Sequence, residues 1–365
     1  MLVDLSRPVW KPSLASCAIL PLFVKSPSYS GVGEGSLTIG SHSADFMTYF
    51  GAFSLKKWRL YTGVDDLTPV LVLESSSPVH ITLTEMIYRR LEKRVIREVD
   101  DAPLHTQDGW YRYVVSYPFT VTTGDASAAL RNVSYCADVP KRRDIRIEIA
   151  TTTYLKEQQV TNNIDMIRKE LLEKEEWGDY FHLTVVDNGR TLSGSVCAGN
   201  PAITLIPNGN VGGAGGFAAG MIHAVESGWA THVLLMDDDV TVCPESFKRS
   251  LRLLEYASDE YATATIAGAM LSTANFEMQQ EDIGVISPER SLRSFKPRLI
   301  MDREYDITFN EELVPASDTK GLYSAWWYSC FPVRRIKENG LPIPLFYRRD
   351  DVEYATRIQE KEPLK

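Results

Sequence analysis

The stretch HVLLMDDDV, His232 to Val240, joins a run of apolar residues directly to three consecutive aspartates. A short apolar run of this kind is typical of a buried strand. In an extended backbone, alternate side chains point to the same side, so Asp237 and Asp239 face one way. Two carboxylates held that close repel each other unless a cation lies between them. We therefore expect a buried strand whose carboxyl end binds a divalent cation, with a solvated acidic turn as the alternative.

Strands and helices alternate around this stretch, from about residue 141 to the end of the chain. Three further apolar runs are typical of strands: IRIEIATTT at 145–153, HLTVVDNG at 182–189 and ITLIPN at 203–208. Between the first two, one helical face carries four apolar residues, Val160, Ile164, Ile167 and Leu171. This order predicts a mostly parallel sheet with helices on both faces and with ligands at the carboxyl ends of its strands.

The glycine-rich stretch NGNVGGAGGFAAG, Asn208 to Gly220, separates the third of these runs from HVLLMDDDV. Gly213, Gly215 and Ala218 fit the dinucleotide-binding pattern G-x-G-x-x-G/A, and Asp237 follows at about the distance of a ribose-binding acid. One ribose needs a single acid, however, and three stand together here. The acids therefore favour a cation with a phosphate ligand over a nicotinamide cofactor. A flexible loop with a tight helix start would also explain the glycines.

Asp187 ends the strand predicted at 182–189 and is followed by Asn188 and Gly189. An acid at this place can accept hydrogen bonds from the imide or the ribose of a nucleotide. A local Asx turn is an equally good explanation. If the strands adjoin as expected, Asp187 and the three aspartates line one cleft.

The first part of the chain has a different pattern. Short alternating or β-branched runs such as LTPVLVLE, VHITLT and GWYRYVVSYPFTVTT occur between residues 30 and 140, separated by Gly, Ser and Asp clusters. They predict an all-β sandwich. The charged segment PKRRD, Pro140 to Asp144, is the best linker candidate. We therefore expect a sandwich domain at 1–140 and an α/β domain at 141–365.

Composition limits the class of protein. The chain has 365 residues, of which 44% are hydrophobic, and a net charge of −9, which together exclude a disordered chain and a basic nucleic-acid-binding surface. Its five cysteines are scattered without a C-x-x-C pair, as in a cytosolic protein with reduced thiols. No stretch has the apolar length of a membrane span, and the N-terminus lacks a basic segment before an apolar core. We expect a cytoplasmic protein.

Six segments of the α/β part occur in the order found in the galactofuranosyltransferases of the inverting family-2 glycosyltransferases: ATTTYLKEQQ, VVDNG, NVGGAGGF, LLMDDDV, AWWYSC and LPIPLFYRRDDVEY. The first part resembles that family through SADFMTYFGAFSLKKWR, Ser43 to Arg59, and through DGWYRYVV. The resemblance covers nearly the whole chain. It implies a β-sandwich followed by a GT-A nucleotide-sugar-binding domain, UDP-galactofuranose as donor, and a divalent cation, Mn²⁺ or Mg²⁺.

The resemblance also implies roles for individual acids and aromatic residues. Asp237 and Asp239 resemble the metal ligands. Asp351 resembles the general base and Asp350 an acceptor-binding acid, although RRDD by itself would be typical of a solvated charge run. An aromatic pair resembles the residues that line the sugar site on the acceptor side, with core packing as the alternative: Trp326 and Trp327.

Nine more positions resemble those that contact the nucleotide or donor in the family: Thr153, Tyr154, Lys156, Asp187, Asn210, Gly212, Gly213, Asp238 and Arg348. Lys156 stands where the family usually has an arginine. Lysine keeps the positive charge and loses the bidentate fork of the guanidinium.

The implied reaction is an inverting transfer in the synthesis of cell-surface polysaccharide. Asp351 removes the proton of the acceptor hydroxyl on the face opposite the leaving UDP. The cation at Asp237 and Asp239 stabilises the charge that grows on the diphosphate. The implied acceptor is a galactose-containing, lipid-linked glycan, so we expect peripheral contact with the inner face of the plasma membrane. Whether the protein forms a homo-oligomer is left open.

Two alternatives stay open. Another family-2 enzyme, such as a rhamnosyltransferase, would use the same residues with a different sugar pocket, and a non-catalytic glycan-binding protein would keep only the fold. The family pattern continues beyond RRDDVEYATR into a strand with a metal-binding histidine, and none of the six histidines stands at that place. We therefore expect a chain that is truncated at its C-terminal end and whose cation site lacks one protein ligand.

Overall fold

A computed structural model describes the chain over residues 2–7, 22, 24, 29–33, 36–39, 43–46, 48–87, 92–99, 104–108, 111–116, 120–122, 128–197, 199–287, 289, 291–316 and 319–361. The chain divides into two compact units. The first consists of Met1–Lys141, Leu271–Gln279 and Arg298–Val314, and the second of Arg142–Met270, Gln280–Pro297 and Pro315–Lys365. The predicted boundary at residue 140 lies next to the first of these divisions, and it stays a prediction of domain organisation.

The first unit contains two antiparallel sheets. Its N-terminal elements are β1 (Val3–Ser6), β2 (Tyr29–Gly33), β3 (Ser36–Ile39), β4 (Ser43–Asp45), α1 (Leu55–Thr62), β5 (Val70–Ser75), β6 (His80–Ile87), β7 (Glu92–Val99), β8 (Leu104–His105), β9 (Tyr111–Ser116), β10 (Thr120–Thr122) and β11 (Ala128–Ala137). One sheet has the order β2-β3-β11-β5-β9-β8, with β1 also paired to β11, and the other has the order β4-β10-β6-β7. The β-rich character is as predicted, whereas the face-to-face packing of a sandwich stays a prediction.

The second unit begins with the predicted alternation of strands and helices. Its elements are β12 (Ile147–Thr153), α2 (Glu157–Ile167), β13 (Phe181–Asp187), β14 (Ile203–Pro207), α3 (Gly212–Glu226), β15 (His232–Asp237) and α4 (Pro244–Tyr256). A π-helical turn, Arg168–Leu172, continues α2.

Shorter elements follow as far as residue 361. They are β16 (Ile266–Ala267), β17 (Met270–Leu271), β18 (Met278–Glu281), β19 (Gly284–Ile286), β20 (Leu292–Ser294), β21 (Leu299–Ile300), α5 (Glu304–Glu312), β22 (Leu322–Tyr323), β23 (Ser329–Pro332), α6 (Val333–Asn339) and α7 (Asp350–Lys361). None of the helices in the described part of the chain combines the length and apolarity that crossing a bilayer requires.

The central sheet of the second unit has the order β14-β13-β12-β15-β23-β16. The first four strands run parallel, and β23 pairs antiparallel with both β15 and β16. From β12 the chain adds β13 and β14 on one side and then β15 on the other, so the order reverses between β12 and β15. In open α/β sheets, ligands bind outside the carboxyl ends of the strands at such a reversal.

Helices cover both faces of this sheet, as predicted. Alternate residues of β12 belong to two different cores, Ile147 and Ile149 to one and Ala150 to the other. The first core includes α2 and α4, and the second includes α3, α6 and α7. The predicted apolar face of the helix after β12 is fully buried, at Val160, Ile164, Ile167 and Leu171. That prediction is confirmed.

Helix α3 lies unusually close to β12 because glycines form the contact. A Cβ atom on Gly216 would come within 2.8 Å of Thr152 Cβ, and one on Gly220 within 2.8 Å of Ala150 Cβ. Atoms at that distance overlap, so any larger residue would move the helix away from the strand. Packing of α3 on the sheet therefore accounts for two glycines of the dinucleotide-like stretch without any ligand.

A buried carboxyl group lies under the other end of α3. Glu148 on β12 is completely buried, and its Oε1 accepts a hydrogen bond of 2.7 Å from the Thr184 hydroxyl. Its Oε2 has no hydrogen-bond partner, and Nδ1 of both His182 and His223 lies 3.9 Å from the carboxylate. Burial raises the pKa of Glu148 to about 7. The folded protein therefore holds a proton at this site that the unfolded chain releases near pH 4.5.

Replacing Glu148 should change how stability depends on pH. Because the pKa is raised in the folded state, the native chain gains stability from the bound proton at low pH and loses it as pH rises from about 4.5 through about 7. We expect Glu148→Gln to flatten this loss by on the order of 1–3 kcal/mol, measured as the free energy of unfolding in urea from pH 5 to pH 8. The matched control is Glu226→Gln at the exposed end of α3. An identical pH dependence in the Glu148 variant and the parent would contradict the prediction.

Candidate active site at the carboxyl ends of the parallel strands

Strand register brings the predicted acids to one edge of the sheet. Within the parallel ladder, Thr153 of β12 pairs with Asp187 of β13, and Thr152 pairs with Asp237 of β15. The two acids therefore flank the carboxyl end of β12, at the point where the strand order reverses. Thr153 itself is buried at that end.

The three aspartates after β15 differ in their surroundings. Asp237 is the last residue of the strand, and burial, followed by the charges of Asp239, Asp238 and Asp350, raises its pKa to about 7. Asp238 is buried, and burial likewise raises the pKa of its carboxyl group. Asp239 is exposed. The cluster thus concentrates negative charge that a cation would stabilise.

Lys156 supplies a positive charge to this cluster. It lies in the loop between β12 and α2, and its Nζ is 2.5 Å from Asp239 Oδ2 and 3.4 Å from Asp238 Oδ1. The hydrogen bond to Asp239 raises the pKa of the lysine. Tyr154, two residues earlier, projects into solvent with about half of its surface exposed. A lysine predicted to contact a diphosphate therefore contacts one of the two predicted cation ligands, Asp239.

The carboxylate of Asp187 accepts hydrogen bonds from the loop that follows it. Its Oδ1 accepts a hydrogen bond of 2.9 Å from the Gly189 N–H, and its Oδ2 accepts one of 2.7 Å from the Leu192 N–H. The residue is almost completely buried. These bonds form the Asx turn that the sequence left open as the alternative, while the uridine contact stays a prediction.

The glycine-rich stretch contacts the segment that precedes α7. Gly212 has a left-handed φ of 76°, and the Gly213 N–H donates a hydrogen bond of 3.2 Å to the Phe346 carbonyl. A Cβ on Gly213 would lie 3.1 Å from Asp350 Oδ2. Asn210 is exposed, and its Oδ1 accepts from the Gly212 N–H at 3.3 Å. The N-terminus of α3 and the acids of α7 are therefore immediate neighbours.

Helix α7 opens with the two predicted acids. Burial, then the charges of Asp350 and Glu281, raise the pKa of Asp351 to about 6, and its Oδ1 accepts from the Val352 N–H at 2.8 Å. Burial also raises the pKa of Asp350. Arg348 has a left-handed φ of 62°, and its guanidinium lies 4.8 Å from the centroid of the Tyr347 ring. A carboxyl group with a pKa near 6 is suited to act as a base at neutral pH.

Two residues near Asp351, Glu281 and Tyr323, were not predicted from the sequence. The Tyr323 hydroxyl donates a hydrogen bond of 3.4 Å to Glu281 Oε1. Burial, together with the charges of Glu281 and Asp351, raises the pKa of Tyr323 to about 12. Neither residue belongs to a recognisable motif, and they are far apart in sequence from Asp351. Only the fold could bring them to α7.

The two predicted sugar-site tryptophans face different cores. Trp326 is only 5% exposed, and its ring lies 5.2 Å from that of Phe217 on α3 and 5.9 Å from that of Tyr354 on α7. Trp327 packs against the opposite core and donates from Nε1 to the Gly268 carbonyl at 2.8 Å. Core packing, the alternative that the sequence left open, explains both rings. Their place in a sugar site stays a prediction.

The acidic cluster fits a hard divalent cation by the type and charge of its ligand atoms. Asp237 and Asp239 offer carboxylate oxygens, which Mg²⁺ and Mn²⁺ prefer, together with positions left for substrate oxygens. Among the residues that the structure describes, no group of three or more His, Cys, Asp or Glu side chains is arranged to hold a metal ion. A cation at this site would therefore need ligands from water or from the substrate.

Known proteins with a similar sequence are transferases. The galactofuranosyltransferase GlfT2 of Mycolicibacterium smegmatis is 23% identical over 356 residues, which are 89% of this chain and 52% of that protein. GlfT2 of Mycobacterium tuberculosis is 23% identical over 350 residues, 89% of this chain and 53% of that protein. GlfT1 of Mycobacterium tuberculosis is 30% identical over 186 residues, 48% of this chain and 54% of that protein.

This chain resembles the galactofuranosyltransferases. The predicted resemblance is thus confirmed, and the chain spans about half the length of the curated relatives it matches. No protein-family profile matches it. Among solved structures, a mannosyltransferase from Pyrobaculum calidifontis in complex with GDP-Man and Mn²⁺ is 15% identical, with 60% of this chain and 54% of that chain covered. Its TM-score is 0.38, which is too low to establish a shared fold.

Truncating Trp326 should destabilise the protein. The ring is buried between α3 and α7, and removal of a buried aromatic side chain typically costs about 3–5 kcal/mol. We expect Trp326→Ala to lower the free energy of unfolding by this amount in urea titrations, and Trp326→Phe to lose much less. A Trp326→Ala variant with parental stability would show that the ring is not part of the core.

Proposed function

We propose that this chain is a glycosyltransferase that moves galactofuranose from UDP-galactofuranose to a hydroxyl group of a galactose-containing glycan, with inversion at the anomeric carbon. The observation that carries the proposal is the meeting of two acidic groups at the strand-order reversal. Asp237 ends β15 and Asp239 follows it by two residues, and Asp350 and Asp351 begin α7, beside the N-terminus of α3. The choice of galactofuranose as the donor sugar follows the names of the relatives, since the geometry of the site alone does not distinguish one hexose from another.

The two acidic groups suit two different tasks. Asp351, whose pKa is about 6, accepts the proton of the acceptor hydroxyl as that oxygen forms a bond to the anomeric carbon. The bond from the anomeric carbon to the diphosphate oxygen breaks on the opposite face, and UDP leaves. Asp237 and Asp239 hold a divalent cation, which when bound stabilises the negative charge on the leaving diphosphate.

The remaining residues bind and orient the donor. The N-terminus of α3 directs backbone N–H groups and the positive end of the helix dipole toward its surroundings, an arrangement that favours phosphate oxygens. Asp187 ends β13, Tyr154 and Asn210 lie on the loops that follow β12 and β14, and all three are proposed nucleotide contacts. Glu281 and Tyr323 are hydrogen-bonded to each other, and the charge of Glu281 raises the pKa of Asp351, which makes that acid a better base.

The acceptor and its setting belong to the same proposal. The family resemblance is the ground for proposing a lipid-linked glycan acceptor and peripheral contact with the inner face of a membrane, and the scattered cysteines are the ground for a cytoplasmic location; whether the protein is a homo-oligomer is left open. A donor screen separates this function from that of a rhamnosyltransferase. A non-catalytic glycan-binding protein would release no UDP with any acceptor.

Removal of one cation ligand should abolish cation-dependent donor binding. Neutralising Asp237 or Asp239 leaves the cation with a single carboxylate from β15, so it binds weakly and cannot hold the diphosphate. We expect Asp237→Asn and Asp239→Asn to weaken Mn²⁺-dependent UDP binding at least tenfold in calorimetry and to stop galactofuranosyl transfer. The exposed Asp259→Asn is the control within the same unit. Equal affinity of the parent chain for UDP with and without Mn²⁺ would refute the cation assignment.

Removal of the base should slow transfer without weakening donor binding. A positioned general base contributes about 10²–10⁴-fold to rate, so we expect Asp351→Asn to lower the transfer rate by this factor at unchanged UDP affinity. In the parent, transfer should fall as pH drops through about 6, because the base is then protonated. Product mass with UDP-galactofuranose, Mn²⁺ and a panel of galactose-containing acceptors provides the readout. A parental rate in Asp351→Asn would assign the base to another residue.

A further inference from the structure

We propose that Lys156 is an internal counter-ion that competes with the divalent cation for the aspartates after β15 and moves to the donor diphosphate when the cation binds. The inference rests on the proposed function and assigns Lys156 a second position within that site. Binding of cation and binding of nucleotide are then coupled through one side chain. The ligand classes are a divalent cation and a nucleoside diphosphate.

The contacts of Lys156 place its charge where the cation would bind. Its Nζ lies 2.5 Å from Asp239 Oδ2, an oxygen of one of the two proposed cation ligands, and 3.4 Å from Asp238 Oδ1. An ion coordinated by Asp239 would lie about 2.0–2.2 Å from a carboxylate oxygen. An ammonium group and a divalent ion at such distances from the same carboxylate repel each other strongly. The two therefore exclude each other at Asp239.

The need for a counter-ion follows from the charges around the site. The charges of Asp239, Asp238 and Asp350 disfavour ionisation of Asp237, and the charge of Lys156 favours it. Without a cation, the ammonium partly neutralises this group of carboxylates. A bound divalent cation supplies twice the positive charge of the lysine. The carboxylates then no longer need the ammonium group as a counter-ion.

The position of Lys156 allows it to move. Its side chain is 41% exposed, so rotation about its four carbon–carbon bonds meets solvent rather than packed core. The residue sits in the short loop between β12 and α2, at the strand-order reversal where phosphate ligands bind in α/β sheets. Leu155, directly before it, has a left-handed φ of 56°, which fixes the direction in which the loop presents the lysine. An ammonium released from Asp239 can thus reach an anion bound at the same edge.

A fixed structural ion pair is the contrasting explanation, and it predicts different behaviour. If Lys156 only stabilises the loop, its removal would weaken or leave unchanged the binding of a cation, because the acids would lose their alignment. If Lys156 competes, its removal would strengthen cation binding and weaken nucleotide binding. The two effects have opposite signs, which a merely structural role cannot produce.

The test uses the whole chain with Mn²⁺ and UDP as probes. Free Mn²⁺ is followed by electron paramagnetic resonance during titration without nucleotide, and UDP binding is followed by calorimetry at saturating Mn²⁺. For Lys156→Gln we expect about two- to fivefold tighter Mn²⁺ binding, the range that a partly exposed ion pair contributes, together with weaker UDP binding. Lys156→Arg should keep Mn²⁺ affinity near that of the parent, because the competing charge is retained. Lys169→Gln, an exposed lysine after α2, is the control.

The outcomes separate failure of this inference from failure of the proposed function. Unchanged or weaker Mn²⁺ binding by Lys156→Gln, in a chain whose parent binds UDP with Mn²⁺, overturns the inference alone. A parent chain that binds neither Mn²⁺ nor UDP overturns the proposed function and the inference with it. Thermal unfolding of each variant checks that the fold persists, and Lys156→Arg distinguishes loss of charge from loss of structure if Lys156→Gln is unstable.

Discussion

The close contact between α3 and β12 is the constraint on which the geometry of the site depends. Gly216 and Gly220 let the helix approach the strand to a distance that no other residue allows. The same contact sets the position of the helix N-terminus above the carboxyl ends of the strands. Because the segment before α7 is hydrogen-bonded to that N-terminus, the acids of α7 are positioned through it as well. The contact between α3 and β12 thus positions both the N-terminus of α3 and the acids of α7.

Charge is the second constraint. The site gathers carboxyl groups in partly buried surroundings, and the free energy of ionising them is unfavourable without compensation. Acids of this kind are costly for stability, and proteins retain them where they bind a cation or transfer a proton. Glu148 shows that a buried acid also occurs at the opposite end of β12, where the proposed reaction does not use it.

The sequence predicts what depends on local pattern. Four parallel strands, the apolar face of α2 and the position of the aspartates at a strand end all follow from periodicity, and the structure contains them. The order of the motifs along the chain also predicted which proteins it resembles, because the combined order is more specific than any single motif. The alternation of apolar and polar residues predicted the β-rich first part of the chain, although alternation does not show how two sheets pack.

Features that depend on packing could not be predicted in the same way. Gly213 and Gly215 of the α3 stretch fit a dinucleotide pattern, whereas the glycines that β12 requires are Gly216 and Gly220, and the sequence alone does not show which glycines a packing contact needs. Trp326 and Trp327 are adjacent in sequence and lie against opposite cores, and no local pattern shows which core each ring contacts. Glu281 and Tyr323 reach Asp351 through tertiary folding alone.

Trp326 lies between Phe217 of α3 and Tyr354 of α7, so one aromatic layer joins α3 to the helix that begins with Asp350 and Asp351. These two helices cannot shift independently, because any movement of one changes the packing of the other. In the proposed reaction, the distance between the leaving diphosphate and the attacking hydroxyl would then depend on packing inside the core. A largely buried side chain would influence how well two substrates are aligned, and enzyme engineers searching only the surface of the cleft would overlook it.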